Sequence, residues 1–152
     1  MSRIQLALNV SNLDQAIEFY SKFFRTEPAK VRPGYANFAI DEPPLKLVLI
    51  ENGGVPGSLN HLGVEVLSAD EVAEATKHLI GVGFETRVED ATTCCFALQD
   101  KVWVDGVDGS PWEVYTVLDD APAANSIDGE GTCCVPDRVD QSSASLSVTA
   151  CC

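Results

Sequence analysis

The chain has 152 residues and a mass of 16.3 kDa, room for one domain with a real core and too little for two ordinary ones. A net charge of −13 argues against nucleic acid and anionic membranes as partners, and no apolar run is long enough to span a bilayer. The opening MSRIQLALNV lacks a small-residue cleavage site and reads as a strand, so a cytoplasmic location is expected.

Residues 4–10 alternate, with Leu6, Leu8 and Val10 on one face and Gln5 on the other. A helix begins near Ser11 or Asn12, with Asp14 three residues beyond Ser11 in a capping-box-like start. Leu13, Ala16, Ile17, Tyr20 and Phe24 form its apolar stripe. Short strands are expected at roughly 27–32, 35–40 and 45–51, separated by Pro33-Gly34 and Pro43-Pro44. Residues 60–66 then repeat residues 4–10 at an offset of 56, with Leu62, Val64 and Val66 on one face. His61 falls at the place equivalent to Gln5. A second helix begins at Ser68, with Glu71 three residues on. Val72, Ala75, Thr76 and Leu79 face inward, and Gly81 and Gly83 end it. Further strands are expected at roughly 84–89, 94–98, 101–104 and 112–118. Pro111-Trp112-Glu113-Val114-Tyr115 matches Pro44-Leu45-Lys46-Leu47-Val48, so Glu113 corresponds to Lys46. The pattern predicts an α+β domain over 1–119. It consists of two βαβββ modules, about 1–56 and 57–119, paired into an open, mixed-sheet barrel.

All six cysteines lie in adjacent pairs: Cys94-Cys95, Cys133-Cys134 and Cys151-Cys152. Chance would give about 0.2 such pairs, so the spacing carries information. An ordinary disulfide framework is not expected in a cytosolic chain, and neighbouring cysteines make a poor disulfide. Reduced, each pair is a short-bite dithiol suited to trivalent arsenic, cadmium, mercury or zinc. Residues 119–152 hold six acidic residues, one basic residue and no aromatics. This composition predicts a flexible acidic tail over 120–152 carrying two of the pairs.

In such a barrel, Gln5, His61 and Glu113 point into one concavity. An amide oxygen, an imidazole and a carboxylate make a plausible ligand set for a divalent first-row metal. Lys46, at the fourth equivalent position, cannot ligate while protonated, and Glu51 has the wrong parity to replace it. Three ligands leave coordination positions open, as oxygen-activating non-haem iron requires. Each residue also has a plainer explanation: His61 as a packed histidine, Glu113 as a solvated strand carboxylate, and Lys101 and His78 as surface residues.

The paired modules, with Asn60-His61-Leu62-Gly63-Val64-Glu65-Val66 and Asp108-Gly109-Ser110-Pro111-Trp112-Glu113, resemble the vicinal oxygen chelate superfamily. That group includes glyoxalase I, extradiol dioxygenases and fosfomycin-resistance proteins. Within it, Tyr35-Ala36-Asn37-Phe38-Ala39-Ile40, Thr92-Thr93-Cys94-Cys95-Phe96 and Gln99-Asp100-Lys101-Val102-Trp103-Val104 resemble the bacterial C–As lyases and their relatives, the cadmium-induced proteins. The resemblance covers about residues 1–119. It implies an Fe(II)- and O2-dependent enzyme that removes the organic group from methylarsenite or reduced aromatic arsenicals, leaving arsenite. Gln5, His61 and Glu113 match the metal ligands of that family, and Cys94 and Cys95 its arsenic-binding pair. Lys101 is an auxiliary candidate for stabilising thiolate or a reduced oxygen species. Adjacent strand side chains diverge, so Cys94 and Cys95 need a turn or bulge to share one atom. Thr92-Thr93 and the polar segment after them suit a loop that closes over the site.

A glyoxalase-like isomerase would want a ligand in place of Lys46, an extradiol dioxygenase a histidine in place of Gln5, and a fosfomycin-type transferase leaves Cys94-Cys95 unexplained. The rival from another class is a thiophile-sequestering protein that binds cadmium or arsenic without turnover. The preferred organic substituent, the electron source and the oligomeric state stay open. Superfamily members often dimerise through paired modules, so a homodimer is one expectation, but this chain already has two modules.

Overall fold

The computed structural model describes residues 1–94 and 96–121. The elements run β1 (Arg3–Val10), α1 (Leu13–Phe24), β2 (Lys30–Arg32), β3 (Tyr35–Ile40) and β4 (Leu45–Glu51), then β5 (Leu59–Glu65), α2 (Ala69–Gly81), β6 (Arg87–Cys94), β7 (Ala97–Asp105) and β8 (Pro111–Asp120). The order strand, helix, three strands therefore occurs twice. All eight strands join one mixed sheet, β2-β3-β4-β1-β5-β8-β7-β6, curled into a half-barrel. β1 and β5 pair antiparallel at its centre, and each runs parallel to the last strand of its own module.

Strand alternation separates two environments. Leu6, Leu8 and Val10 pack on the convex side with Phe38, Leu47 and Leu49 beneath α1, whose expected stripe of Leu13, Ala16, Ile17, Tyr20 and Phe24 covers them. Gln5, Ala7 and Asn9 face the concavity and are buried. The interior of the half-barrel is thus partly polar, while the helix-covered side holds the larger apolar core.

The helix starts follow their capping chemistry. Asn12, and not Ser11, caps α1: its Oδ1 accepts from Gln15 N at 2.8 Å. Glu51 Oε1 accepts from Leu13 N at 3.0 Å, so this carboxylate serves the positive end of α1. Ser68 caps α2, and Glu71 reaches back to Leu67 N at 2.8 Å. Gly83, at φ 90°, carries the chain away from that helix.

Three strands follow α2, where the sequence pattern suggests four. The expected break at Gln99-Asp100 is absent, and residues 97–105 form one continuous strand. Gln99 falls in that expected break and Lys101 has a surface lysine as its plainer explanation, yet both point inward and are buried. The chain turns at Phe96, which adopts φ 66°. Among the described residues no helix is long and apolar enough to cross a membrane.

Leu49 is fully buried under α1. Leu49→Ala should cost about 2–5 kcal/mol in denaturant unfolding. A negligible change would show that the helix-covered core does not stabilise the first module.

Candidate metal and thiol site

Register brings the candidate ligands together. Gln5 lies opposite Gly63, Gly63 beside Glu113, and Glu113 opposite Trp103, while His61 faces Ala7. Gly63 leaves a gap across which Gln5 and Glu113 meet. A Cβ there would stand 3.1 Å from Glu113 Cγ and 3.3 Å from Gln5 Cβ. Gln5 Nε2 donates to Glu113 Oε1 at 2.7 Å and to His61 Nε2 at 3.0 Å. His61 Nε2 lies 3.3 Å from Glu113 Oε1. All three side chains are buried.

Neighbours orient each of them. His61 Nδ1 donates to Asn60 Oδ1 at 2.7 Å. The Asn60 amide is itself oriented, because its Nδ2 donates to Asn9 Oδ1 at 2.9 Å. This network selects the tautomer that leaves the Nε2 lone pair facing Gln5 and Glu113. The Tyr115 hydroxyl donates to Gln5 Oε1. Burial, then the charges of Glu65 and Glu113, push that hydroxyl well above the ordinary tyrosine range, so it keeps its proton. Sequence reasoning missed both Asn60 and Tyr115. The signal for Asn60 was its place beside His61, and for Tyr115 its shared face with Glu113.

Lys101 is only 1% exposed. Its Nζ lies 3.2 Å from Glu113 Oε2 and 5.3 Å from the centre of the Trp103 ring. Trp103 in turn meets His61 edge-on at 5.4 Å. Burial alone would raise the Glu113 carboxyl, but the Lys101 ammonium, with His61, more than reverses this and holds it at about 2. Lys46 is directed elsewhere. It pairs with Glu65 at 2.7 Å and lies 5.1 Å from the centre of the Tyr115 ring.

Cys94 ends β6 and is buried against Ala7, Tyr35, Val48 and Ile50, with Phe96 packed on the same group. The β6–β7 hairpin therefore folds across the concavity onto the inner face of the first module. Lys30 Nζ donates to Phe96 O at 3.2 Å and pairs with Asp120, and Ala121 N donates to Phe96 O at 3.0 Å. Ala7, in the same buried cluster as Cys94, is the residue paired with His61. In contrast to the reduced thiols expected from composition, Cys94 is half of a disulfide whose partner lies outside the described residues. Cys95, Cys133-Cys134, Cys151-Cys152 and the expected tail from 122 onward also lie outside them.

The donor chemistry fits a divalent metal. A histidine presents Nε2, an ionised carboxylate lies 3.3 Å away, and an amide touches both. Among the described residues no three of His, Cys, Asp or Glu gather, so the third donor would have to be the amide. An amide ligates through oxygen, which Tyr115 holds here, so the Gln5 side chain would turn over to serve.

A family model described as the Glyoxalase/Bleomycin resistance protein/Dioxygenase superfamily matches residues 3–114. A cadmium-induced protein, CadI, of Mycobacterium tuberculosis is 56% identical over 146 residues, covering 91% of this chain and 96% of the relative. A trivalent organoarsenical cleaving enzyme of Thermomonospora curvata is 54% identical over 153 residues, covering 100% of this chain and 99% of the relative. Among solved structures, the Mn(II)-bound glyoxalase of Novosphingobium aromaticivorans has a TM-score of 0.57 at 18% identity, covering 82% of this chain and 43% of that one. Homoprotocatechuate 2,3-dioxygenase of Arthrobacter globiformis has a TM-score of 0.55 at 19% identity, covering 77% of this chain and 36% of that one. These two structural likenesses concern the fold.

The depressed Glu113 carboxyl carries a sign for stability. Its contribution is complete above about pH 4.5 and is lost as pH falls toward 2. Lys101→Met removes the main opposing charge, so this loss should move to higher pH. Acid unfolding followed by near-UV circular dichroism checks the shift. Superimposable acid transitions would mean that Lys101 does not set the carboxyl.

Proposed function

The chain belongs to the Glyoxalase/Bleomycin resistance protein/Dioxygenase superfamily, and we propose that within it this protein cleaves the carbon–arsenic bond of trivalent organoarsenicals, such as methylarsenite or reduced aromatic arsenicals, to give arsenite. One observation carries the reading: Cys94 lies in the same buried cluster as Ala7, the strand residue paired with His61 of the Gln5–His61–Glu113 group. A relative named for this cleavage, 54% identical along the whole chain, supports it.

Gln5, His61 and Glu113 would hold Fe(II). The bound ion would supply activation of O2. The remaining roles belong to the chain's own side chains. Cys94 and Cys95, as thiolates, bind trivalent arsenic, a soft centre that hard oxygen donors hold weakly. The disulfide at Cys94 must first be reduced, so turnover needs a thiol reductant. Ala7, Val48 and Ile50 form an apolar wall beside Cys94 that excludes water from the organic substituent. Lys101 balances the negative charge of Glu113 and stays available to a second anion beside it. Thr92 and Thr93, expected in a loop, pair instead with Gln99 and Leu98 in the β6–β7 ladder, so entry requires movement of the hairpin as a unit. In this reading residues 1–119 form the catalytic domain, 120–152 an accessory tail, and the cytoplasm supplies the reductant.

A second reading is favoured by the relative named as cadmium-induced: capture of a thiophilic ion without turnover. Product analysis separates the two. Iron-loaded, reduced protein incubated with methylarsenite under air should release arsenite over many turnovers, and stoichiometric retention of unchanged methylarsenite would favour sequestration. His61→Ala should abolish turnover while leaving the fold intact. Cys94→Ser and Cys95→Ser should each weaken organoarsenical binding and spare iron binding, and the reverse pattern would make the cysteines metal ligands. Asn60→Ala, which removes the acceptor orienting His61, should lower metal affinity about 10- to 100-fold in a titration.

A truncation tests the tail. β8 extends to Asp120, and Ala121 still bonds to the hairpin, so the cut belongs after Ala121. The truncated protein should keep its fold and most of its rate at saturating substrate. Collapse of turnover there would place a tail cysteine pair in the active site.

A further inference from the structure

The concavity continues beyond the Gln5–His61–Glu113 group into a pocket of about 250 Å³ between the inner faces of the two modules. Register places its polar lining. Arg3 lies two residues before Gln5 and pairs with Glu65, Lys46 pairs with Gln5, and across the pocket Gln99 pairs with Val117. The short side chains of Ala39, Ala97 and Val117 leave the space open.

The charges of this pocket do not cancel. Glu65 is the one carboxylate among the described lining residues, and two cations share it. Lys46 Nζ donates to Glu65 Oε1 at 2.7 Å, and Arg3 Nε lies 2.6 Å from Glu65 Oε2. The third cation, Lys30, is neutralised by Asp120 and donates to Phe96 O at 3.2 Å. One positive charge is left over, in a chain whose net charge is −13. Hydrogen-bond donors are left over as well. Arg3 Nε is buried and, despite its closeness to Glu65, is not aligned for a hydrogen bond. Among the described residues the Arg3 guanidinium makes no hydrogen bond at all, and neither does the side chain of Gln99, which is 8% exposed. A buried donor without an acceptor is costly, and a ligand that brings an acceptor removes the cost. The planar guanidinium fork matches a carboxylate in particular.

We propose that this pocket binds an organic carboxylate, held by the Arg3 guanidinium and the Gln99 amide, with its carbon body against Ala39, Ala97 and Val117. Tyr35 lines the pocket and belongs to the same buried cluster as Cys94, and Ala97 pairs with Cys94, so the pocket opens beside that residue. An arsenical bound at Cys94 would direct an acidic substituent on its organic group toward Arg3. That last step rests on the reaction proposed above, whereas carboxylate binding itself does not. The carboxylate is thus either such a substituent or a free organic acid, and the two sources are separable.

Isothermal titration of the reduced, full chain under anaerobic conditions, which prevent turnover, provides the test. Phenylarsenite bearing a 4-carboxyl group should bind at least about tenfold more tightly than phenylarsenite itself. Arg3→Met and Gln99→Leu should each erase that preference. Affinity for methylarsenite, which carries nothing that reaches the pocket, and the circular dichroism spectrum should stay as in the wild type. Benzoate alone, against its neutral counterpart benzamide, is the second arm. Benzoate binding that both substitutions weaken, with no preference between the two arsenicals, would assign the pocket to a free carboxylate. A wild type that shows neither the preference nor benzoate binding would overturn the proposal, as would binding indifferent to both substitutions. If no arsenical binds, the reaction proposed above fails and the benzoate arm alone decides the pocket.

Discussion

The antiparallel register of β1 against β5 is the constraint on which the site depends. It sets Gln5 opposite Gly63 and Ala7 opposite His61, and the parallel β5–β8 pairing then adds Glu113 to the same row. A slip of one residue between them would turn the inward side chains of β1 outward. Gln5 would then lie in the apolar layer beneath the helices, unsatisfied and away from His61 and Glu113. The convex leucines and valines prevent this, because the same slip would expose them in the concavity. The hydrophobic core thus fixes the polar site by parity alone.

Within the concavity, charge is compensated by placement. Two cations, Lys46 half-buried and Lys101 buried, occupy the inner face near Tyr115: Lys46 pairs with Glu65, and Lys101 with Glu113. Arg3 also contacts Glu65, at 2.6 Å. Tyr115 lies between these pairs and carries their positioning to Gln5 through one hydrogen bond. A buried pair of this kind contributes little net stability, because desolvation offsets attraction. Loss of one partner is expensive, however, since it strands the other charge. The arrangement therefore specifies geometry more than it strengthens the fold.

Much of this was legible in the sequence, for identifiable reasons. Alternation at residues 4–10 and 60–66 reveals the parity of Gln5 and His61 without any three-dimensional information. The match of 111–115 to 44–48 does the same for Glu113 and Lys46. Burial of Lys101 was not legible, because a strand lysine is ordinarily solvated and only its pairing with Glu113 inside the barrel lets it be buried. The cap at Asn12 was ambiguous because Ser11 and Asn12 are both capping residue types; Asn12 takes Gln15 N, while Glu51, distant in sequence, takes Leu13 N. The seating of Cys94 on Ala7, Val48 and Ile50 depends on curvature of the whole sheet, which no local pattern encodes.

The two modules share a plan and divide the work unequally. The first fills its helix–sheet interface with Leu13, Ile17, Tyr20 and Phe24 and contributes to the cluster one neutral amide, Gln5. At its other equivalent position Lys46 faces away toward Glu65. The second contributes His61, Glu113, Lys101 and the Cys94 hairpin, and its helix packs with smaller side chains over an open cleft. Gln5 nevertheless lies in the same concavity as His61 and Glu113 and hydrogen-bonds both, so the candidate site needs the two modules in register although the second supplies most of its charged groups.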